Sequence, residues 1–264
     1  LTAKGGATYT AGSSNNGLWI IDSLIETVSG SITINGTGGN TNTAPDDMTC
    51  AGMEFVRSTV KSTSAGNITL TGTGGSGASN TGDCDGIGLE ESVTITTTGA
   101  GQISMTGNAK NRGQGISSWD NSFTLATKNV ITAGSGGLTI NATSERSTAV
   151  AVGGADYAEI IFSAIAGPIS ITASSTRGDA LYMDYQSIGS SSTTSITIVA
   201  SGGTTLAQQQ ADVDGAIFDN VYMQATGAVS LTATGGNYDG SADGHGIDAY
   251  ALDIIAGSIA VSGT

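Results

Sequence analysis

The stretch Gly66-Asn-Ile-Thr-Leu-Thr-Gly-Thr-Gly-Gly75 decides how the chain is read. It alternates polar and apolar residues and then breaks into glycine, the pattern of a half-buried strand entering a corner. The phrase recurs as Gly30-Ser-Ile-Thr-Ile-Asn-Gly36, Gly101-Gln-Ile-Ser-Met-Thr-Gly107, Gly137-Leu-Thr-Ile-Asn141 and Gly167-Pro-Ile-Ser-Ile-Thr172. It returns as Thr194-Ser-Ile-Thr-Ile-Val199, Gly227-Ala-Val-Ser-Leu-Thr232 and Gly257-Ser-Ile-Ala-Val-Ser262. Its leading apolar residues run from Ile32, Ile68 and Ile103 to Val229 and Ile259, at separations of 27 to 36 residues. A fixed period in this range marks a solenoid.

Two further apolar phrases fill each period. One follows a glycine, as in Gly52-Met-Glu-Phe-Val56, Gly86-Ile-Gly-Leu89 and Gly215-Ala-Ile-Phe218. The other lies between, as in Val93-Thr-Ile95, Ile160-Ile-Phe162 and Leu252-Asp-Ile-Ile255. The expected fold is therefore all-β: a right-handed parallel β-helix of about eight coils, each with three short strands and Gly-rich corners. At the spacing of neighbouring strands, eight coils make a rod roughly 38 Å long. A β-sandwich, the alternative for many short strands, does not repeat one phrase at this period. Residues 1–264 read as one segment. Leu1-Thr-Ala-Lys-Gly-Gly6 matches Leu231-Thr-Ala-Thr-Gly-Gly236, so both ends fall inside the repeat, and the expectation is a piece of a longer repetitive protein.

Composition narrows the partners. The 264 residues include 41 Gly, only 8 Lys or Arg, and 22 Asp or Glu, giving a formal charge of -14. So few basic residues make no patch for phosphates, and neither nucleic acid nor an anionic membrane surface is an expected partner. No apolar run is long enough to insert in a membrane as a helix. Cys50 and Cys84 each stand two residues before the glycine that opens a strand, in consecutive coils. Adjacent strands lie about 4.8 Å apart, within disulfide reach. A Cys50–Cys84 bridge is expected, and with it an oxidising, extracellular or cell-surface location.

The repeat phrases, including Val93-Thr-Ile-Thr-Thr-Thr-Gly-Ala-Gly-Gln-Ile-Ser-Met-Thr-Gly107, resemble those of filamentous-haemagglutinin-type and autotransporter-type bacterial exoproteins. The resemblance covers essentially the whole chain. It implies a secreted or surface-held β-helix used for adhesion or as a stalk, and it brings no catalytic motif.

Four groups of residues are candidates for a site. Asp83-Cys-Asp85 and Asp212-Val-Asp214 precede strand-opening glycines; Asp239 and Asp243 occupy the corresponding loop of the last coil, and Asp46 and Asp47 that of the second. Clustered carboxylates suit calcium, whereas the bland role of Asp here is to cap turns. Trp119, Tyr182, Asp184, Asp219 and Tyr250 sit where a strand presents aromatic rings beside acids, which suits the faces and hydroxyls of glycans. Thr33, Thr69, Ser104, Thr139 and Thr197 make a hydroxyl row, explained by the strand preference of Thr. Gly244-His-Gly246 resembles the Gly-His-Gly of polygalacturonases, but no Arg-x-Lys accompanies it and no acid pair is marked. No catalytic residue and no required cofactor is assigned, and the chain is not expected to be an enzyme.

The expected function is a bacterial adhesin or stalk segment whose side loops contact surface glycans or proteins. The alternatives are a self-assembling surface-layer or fibre subunit that binds copies of itself, and a glycan-binding or glycan-cleaving β-helix.

Overall fold

The computed structural model of the chain describes residues 1–5, 15–40, 50–76, 83–111, 113–119, 128–145, 147–152, 159–203, 213–236 and 244–264. Among these, nine strands pair side by side in one parallel sheet: Thr2–Lys4, Ile32–Thr37, Ile68–Thr73, Gln102–Asn108, Gly137–Ser144, Pro168–Ser175, Ser195–Ser201, Ala228–Thr234 and Ser258–Gly263. These are the eight copies of the recurring phrase and the matching opening strand Thr2–Lys4. Their register is that of the sequence repeat: Ile68, Ile103, Leu138, Ile169, Ile196, Val229 and Ile259 stand next to one another. The protein is a parallel β-solenoid. No helix among the described residues is long and apolar enough to cross a membrane.

The other two phrases form a second sheet. The strands that follow the corner glycine stack as Leu18–Ile21, Met53–Val56, Ile87–Glu90, Ile116–Trp119, Val150–Val152 and Leu181–Asp184. The intermediate strands stack as Leu24–Thr27, Thr59–Ser62, Thr94–Thr97, Lys128–Ala133, Glu159–Ala164 and Ser187–Gly189. The expectation of three separate strands per coil needs adjustment at the end of the chain. There the two merge into the single strands Ala216–Gln224 and Ile247–Ile255, which join both ladders into one sheet.

Period-two alternation puts one face of every strand inside. Ile68–Thr73 alternates between buried and half-buried residues along its whole length. The interior is filled by Ile, Leu, Val and Met stacks with Phe55, Phe162 and Phe218. Each fully buried side chain of this kind contributes about 1.5–3 kcal/mol relative to exposure. The opposite face carries the hydroxyl row, in register through Thr33, Thr69, Ser104, Thr139, Ser170 and Thr197.

The two kinds of corner are built differently. Where the recurring strand meets the next coil, Gly36, Gly72 and Gly107 stack. A Cβ on Gly72 would lie 1.9 Å from the Gly86 carbonyl oxygen, so glycine is required by the close approach of the backbones. Where the first strand meets the second, the expectation of glycine corners does not hold. Asp22, Arg57, Glu91, Tyr185, Asn220 and Ala251 take the left-handed conformation, with φ between 47° and 55°. Each such residue costs about 1–2 kcal/mol. Pairing between coils holds them: the Arg57 N–H donates to Glu90 O at 3.0 Å and the Tyr185 N–H to Asp219 O at 3.0 Å. The stacked side chains add an ion-pair ladder at one end, where Arg57 Nε lies 2.7 Å from Asp22 Oδ1 and its Nη1 pairs with Glu91.

Candidate functional site

The outward face of the first-strand ladder carries two parallel rows. One runs Trp19, Glu54, Gly88, Ser117, Ala151, Tyr182, Ile217, Asp248. The other contains Glu90 beside Trp119 and, further on, Asp184, Asp219 and Tyr250. Tyr182 therefore stands one row away from Asp219 and Tyr250, with which the sequence groups it. Its coil opens on Ala180, two residues after Gly178, so its strand begins later relative to the glycine than in the neighbouring coils.

Asp184, Asp219 and Tyr250 come together as neighbours on three successive coils. Tyr250 is 74% exposed, whereas Asp184 is only 6% exposed and is not a surface group. Asp184 Oδ1 is buried without a hydrogen-bond partner among the described residues. Burial and the neighbouring Asp219 push its carboxyl above the usual carboxylate range, partly offset by the Tyr185 N–H. Asp219 is held by the Asn220 amide, whose Nδ2 donates to Oδ1 at 2.8 Å. The side chain of Trp119 lies outside the described residues.

The acids proposed as a calcium row have a different first duty. The residues just before the strand-opening position stack, and an acid or amide there reaches one coil onward. Asn16 Oδ1 accepts the Ala51 N–H at 2.9 Å, Asp85 Oδ1 that of Gln114 at 2.6 Å, Asp179 Oδ1 that of Asp214 at 2.8 Å, and Asp214 Oδ1 that of His245 at 2.7 Å. Asp85 and Asp214 are buried, at 8% and 3% exposure. Asp85 also accepts from the Ser117 hydroxyl at 2.5 Å. Asp212, Asp239, Asp243, Asp46, Asp47 and the side chain of Asp83 lie outside the described residues. The expected disulfide is present: Cys50 and Cys84 are bonded, with Cα atoms 4.4 Å apart across neighbouring coils.

Two groupings were not read from the sequence. The first is a carboxyl pair. Glu54 and Glu90 share a hydrogen bond, and burial plus the Glu54 charge push the Glu90 carboxyl up to about 8. Glu54 is raised as well, chiefly by burial, although Asn16 Nδ2 donates to its Oε2 at 2.5 Å. Gly88 stands between the two acids in the ladder, and the Glu54 side chain passes over the space its missing Cβ leaves open. The signal was an acid in each of two adjacent first strands, in neighbouring outward rows; without register their distance could not be read.

The second grouping is Asp214, His245 and Asp248. One donor atom from each lies within 4.8 Å of the other two. Here the loop histidine and a strand aspartate meet a buried acid of the preceding coil. His245 Nδ1 lies 3.3 Å from Asp214 Oδ1. Comparison with protein-family models, with curated proteins and with solved structures finds no match for the chain.

Proposed function

We propose that the chain is a non-enzymatic rod segment of a secreted or cell-surface bacterial exoprotein of the filamentous-haemagglutinin or autotransporter-passenger type, serving as an adhesin or adhesin stalk. The observation that carries this reading is the in-register parallel ladder with a disulfide closed between two of its coils. A solenoid in which every coil rests on its neighbours is a stiff spacer. A disulfide outside catalytic use belongs to an oxidising compartment. The acidic, hydroxyl-rich surface and the loops between coils are the contact surface for glycans or proteins of other cells.

The test uses the native source. Intact cells are shaved with protease, and their thiols are trapped with a membrane-impermeant maleimide before and after reduction. The reading requires that shaving removes the protein and that Cys50 and Cys84 label only after reduction. Retention inside intact cells, or labelling of both cysteines without reduction, overturns it. Adhesion of cells lacking the gene, compared with parent cells on glycan-coated and cell-coated surfaces, tests the adhesive role; equal adhesion removes it.

A second reading, glycan recognition on the first-strand face, is favoured by the pairing of Asp219 with the exposed Tyr250. Ring faces beside carboxylates match a sugar's apolar face and hydroxyls. Glycan-array binding that is unchanged by Tyr250→Ala and Tyr182→Ala sinks it.

A further inference from the structure

We propose that Asp214, His245 and Asp248 form a binding site for one divalent transition-metal ion of the Zn2+ class. Three kinds of observation carry this. The first is donor geometry. One donor atom of each residue lies within 4.8 Å of the others. Metal–donor bonds near 2.1 Å in a tetrahedron set donors about 3.4 Å apart. His245 and Asp248 are exposed, which leaves their side chains room to close on an ion.

The second is that the buried member is held in place before any ligand arrives. Asp214 is 3% exposed. Its N–H donates to Asp179 Oδ1 at 2.8 Å, and its own Oδ1 accepts the His245 N–H at 2.7 Å. The first bond anchors the Asp214 backbone, and the second holds one carboxylate oxygen and keeps His245 beside it. Asp214 Oδ2 makes no hydrogen bond among the described residues and is the open donor. A buried carboxylate is costly to leave without a counter-charge.

The third is the lack of competing cations. No Lys or Arg among the described residues pairs with Asp214 or Asp248. Asp248 has no hydrogen bond or ion pair there either. The chain's formal charge is -14, so a dication at two carboxylates relieves repulsion as well as filling the site.

Donor type selects the metal. An imidazole nitrogen with two carboxylate oxygens suits Zn2+, Co2+ or Ni2+, whereas Ca2+ prefers an all-oxygen shell. The site thus differs from the calcium row expected from the sequence, sharing only Asp214 with it. Water completes the coordination, because two of the three ligands face solvent.

The experiment uses the whole chain, stripped with a chelator and dialysed. Zn2+ is titrated calorimetrically, and Co2+ is followed by its visible absorption. One ion per chain is expected, with a Co2+ spectrum showing nitrogen and oxygen ligation. His245→Ala and Asp248→Ala are each expected to weaken binding by at least the about 10–100-fold seen when a metal site loses an outer partner. Both residues are exposed, so the variants fold; circular dichroism checks this, and His245→Gln gives a second probe of the same nitrogen. Absence of Zn2+ binding overturns the proposal. So does binding of equal affinity in the wild type and all three variants. So does Ca2+ displacing Zn2+ at comparable concentration.

Discussion

The Oδ1 of Asp179 accepts the backbone N–H of Asp214, one coil further along, at 2.8 Å. The same reach recurs from Asn16 to Ala51, from Asp85 to Gln114 and from Asp214 to His245. An acid or amide at this corner therefore stitches successive coils together. The acceptor, not the charge, does this. Asp179→Asn, which keeps the acceptor, is expected to cost less than Asp179→Ala, which strands a donor and costs on the order of 1–2 kcal/mol. Equilibrium denaturation of the two variants checks the difference.

The Cys50–Cys84 bridge spans 34 residues of sequence. Closing a loop of that size restricts the unfolded chain and contributes about 2–4 kcal/mol. Cys50→Ser/Cys84→Ser is expected to lower the denaturation midpoint accordingly. Added reductant should lower the wild-type midpoint and leave that of the double variant in place.

The Glu54–Glu90 pair makes stability fall as pH rises. The folded Glu90 carboxyl, pushed up to about 8 by burial and by Glu54, holds its proton where the unfolded group, near 4.5, has lost it. The folded state therefore binds more protons between these two values, and stability declines from about pH 4.5 to about pH 8. Glu90 is only half-buried, so solvent screening reduces the effect to on the order of 1–2 kcal/mol. Glu90→Gln removes the ionisation and should flatten the slope of melting temperature against pH in that window. A slope equal to that of the wild type would refute the coupling.

Gly72 tests the corner. Its missing Cβ would meet the Gly86 carbonyl oxygen at 1.9 Å, so Gly72→Ala forces the two coils apart. Overpacking of this kind costs about 1–3 kcal/mol. By contrast, the same ladder position is already alanine at Ala142, Ala173 and Ala200. Ala173→Gly is therefore expected to destabilise too, by about 1 kcal/mol, through lost packing and added chain entropy. Thermal unfolding of both variants reads the contrast.

Much of the fold was legible in one dimension because a solenoid repeats its own environment. Ile68 and Ile103 are neighbours for the same reason that they are phrase-mates, so periodicity and register coincide. The disulfide followed from that equivalence. The left-handed corner was not legible: Asp22, Arg57, Tyr185 and Ala251 share no side-chain signature, because the backbone hydrogen bonds of the next coil impose their conformation. The fusion of the last first and second strands is likewise a matter of pairing: Asp219 pairs with Tyr250 and Val221 with Leu252, on either side of the left-handed residues Asn220 and Ala251, so the ladder resumes without a break in the strand.

The sites divide along the same line. The run of residues determined which groups are repeated: aliphatic stacks inside, hydroxyls outside, acids before the corner glycines. It did so because alternation and period are local properties of the chain. Side-chain meetings across coils belong to three dimensions. Glu54 meets Glu90 over Gly88, and His245 meets Asp214 and Asp248, because the pairing register of neighbouring coils sets which side chains stand across from one another. Burial then assigns the chemistry. A carboxylate that reads as a loop acid in sequence, Asp214, becomes a buried hydrogen-bond acceptor with one oxygen left to bind.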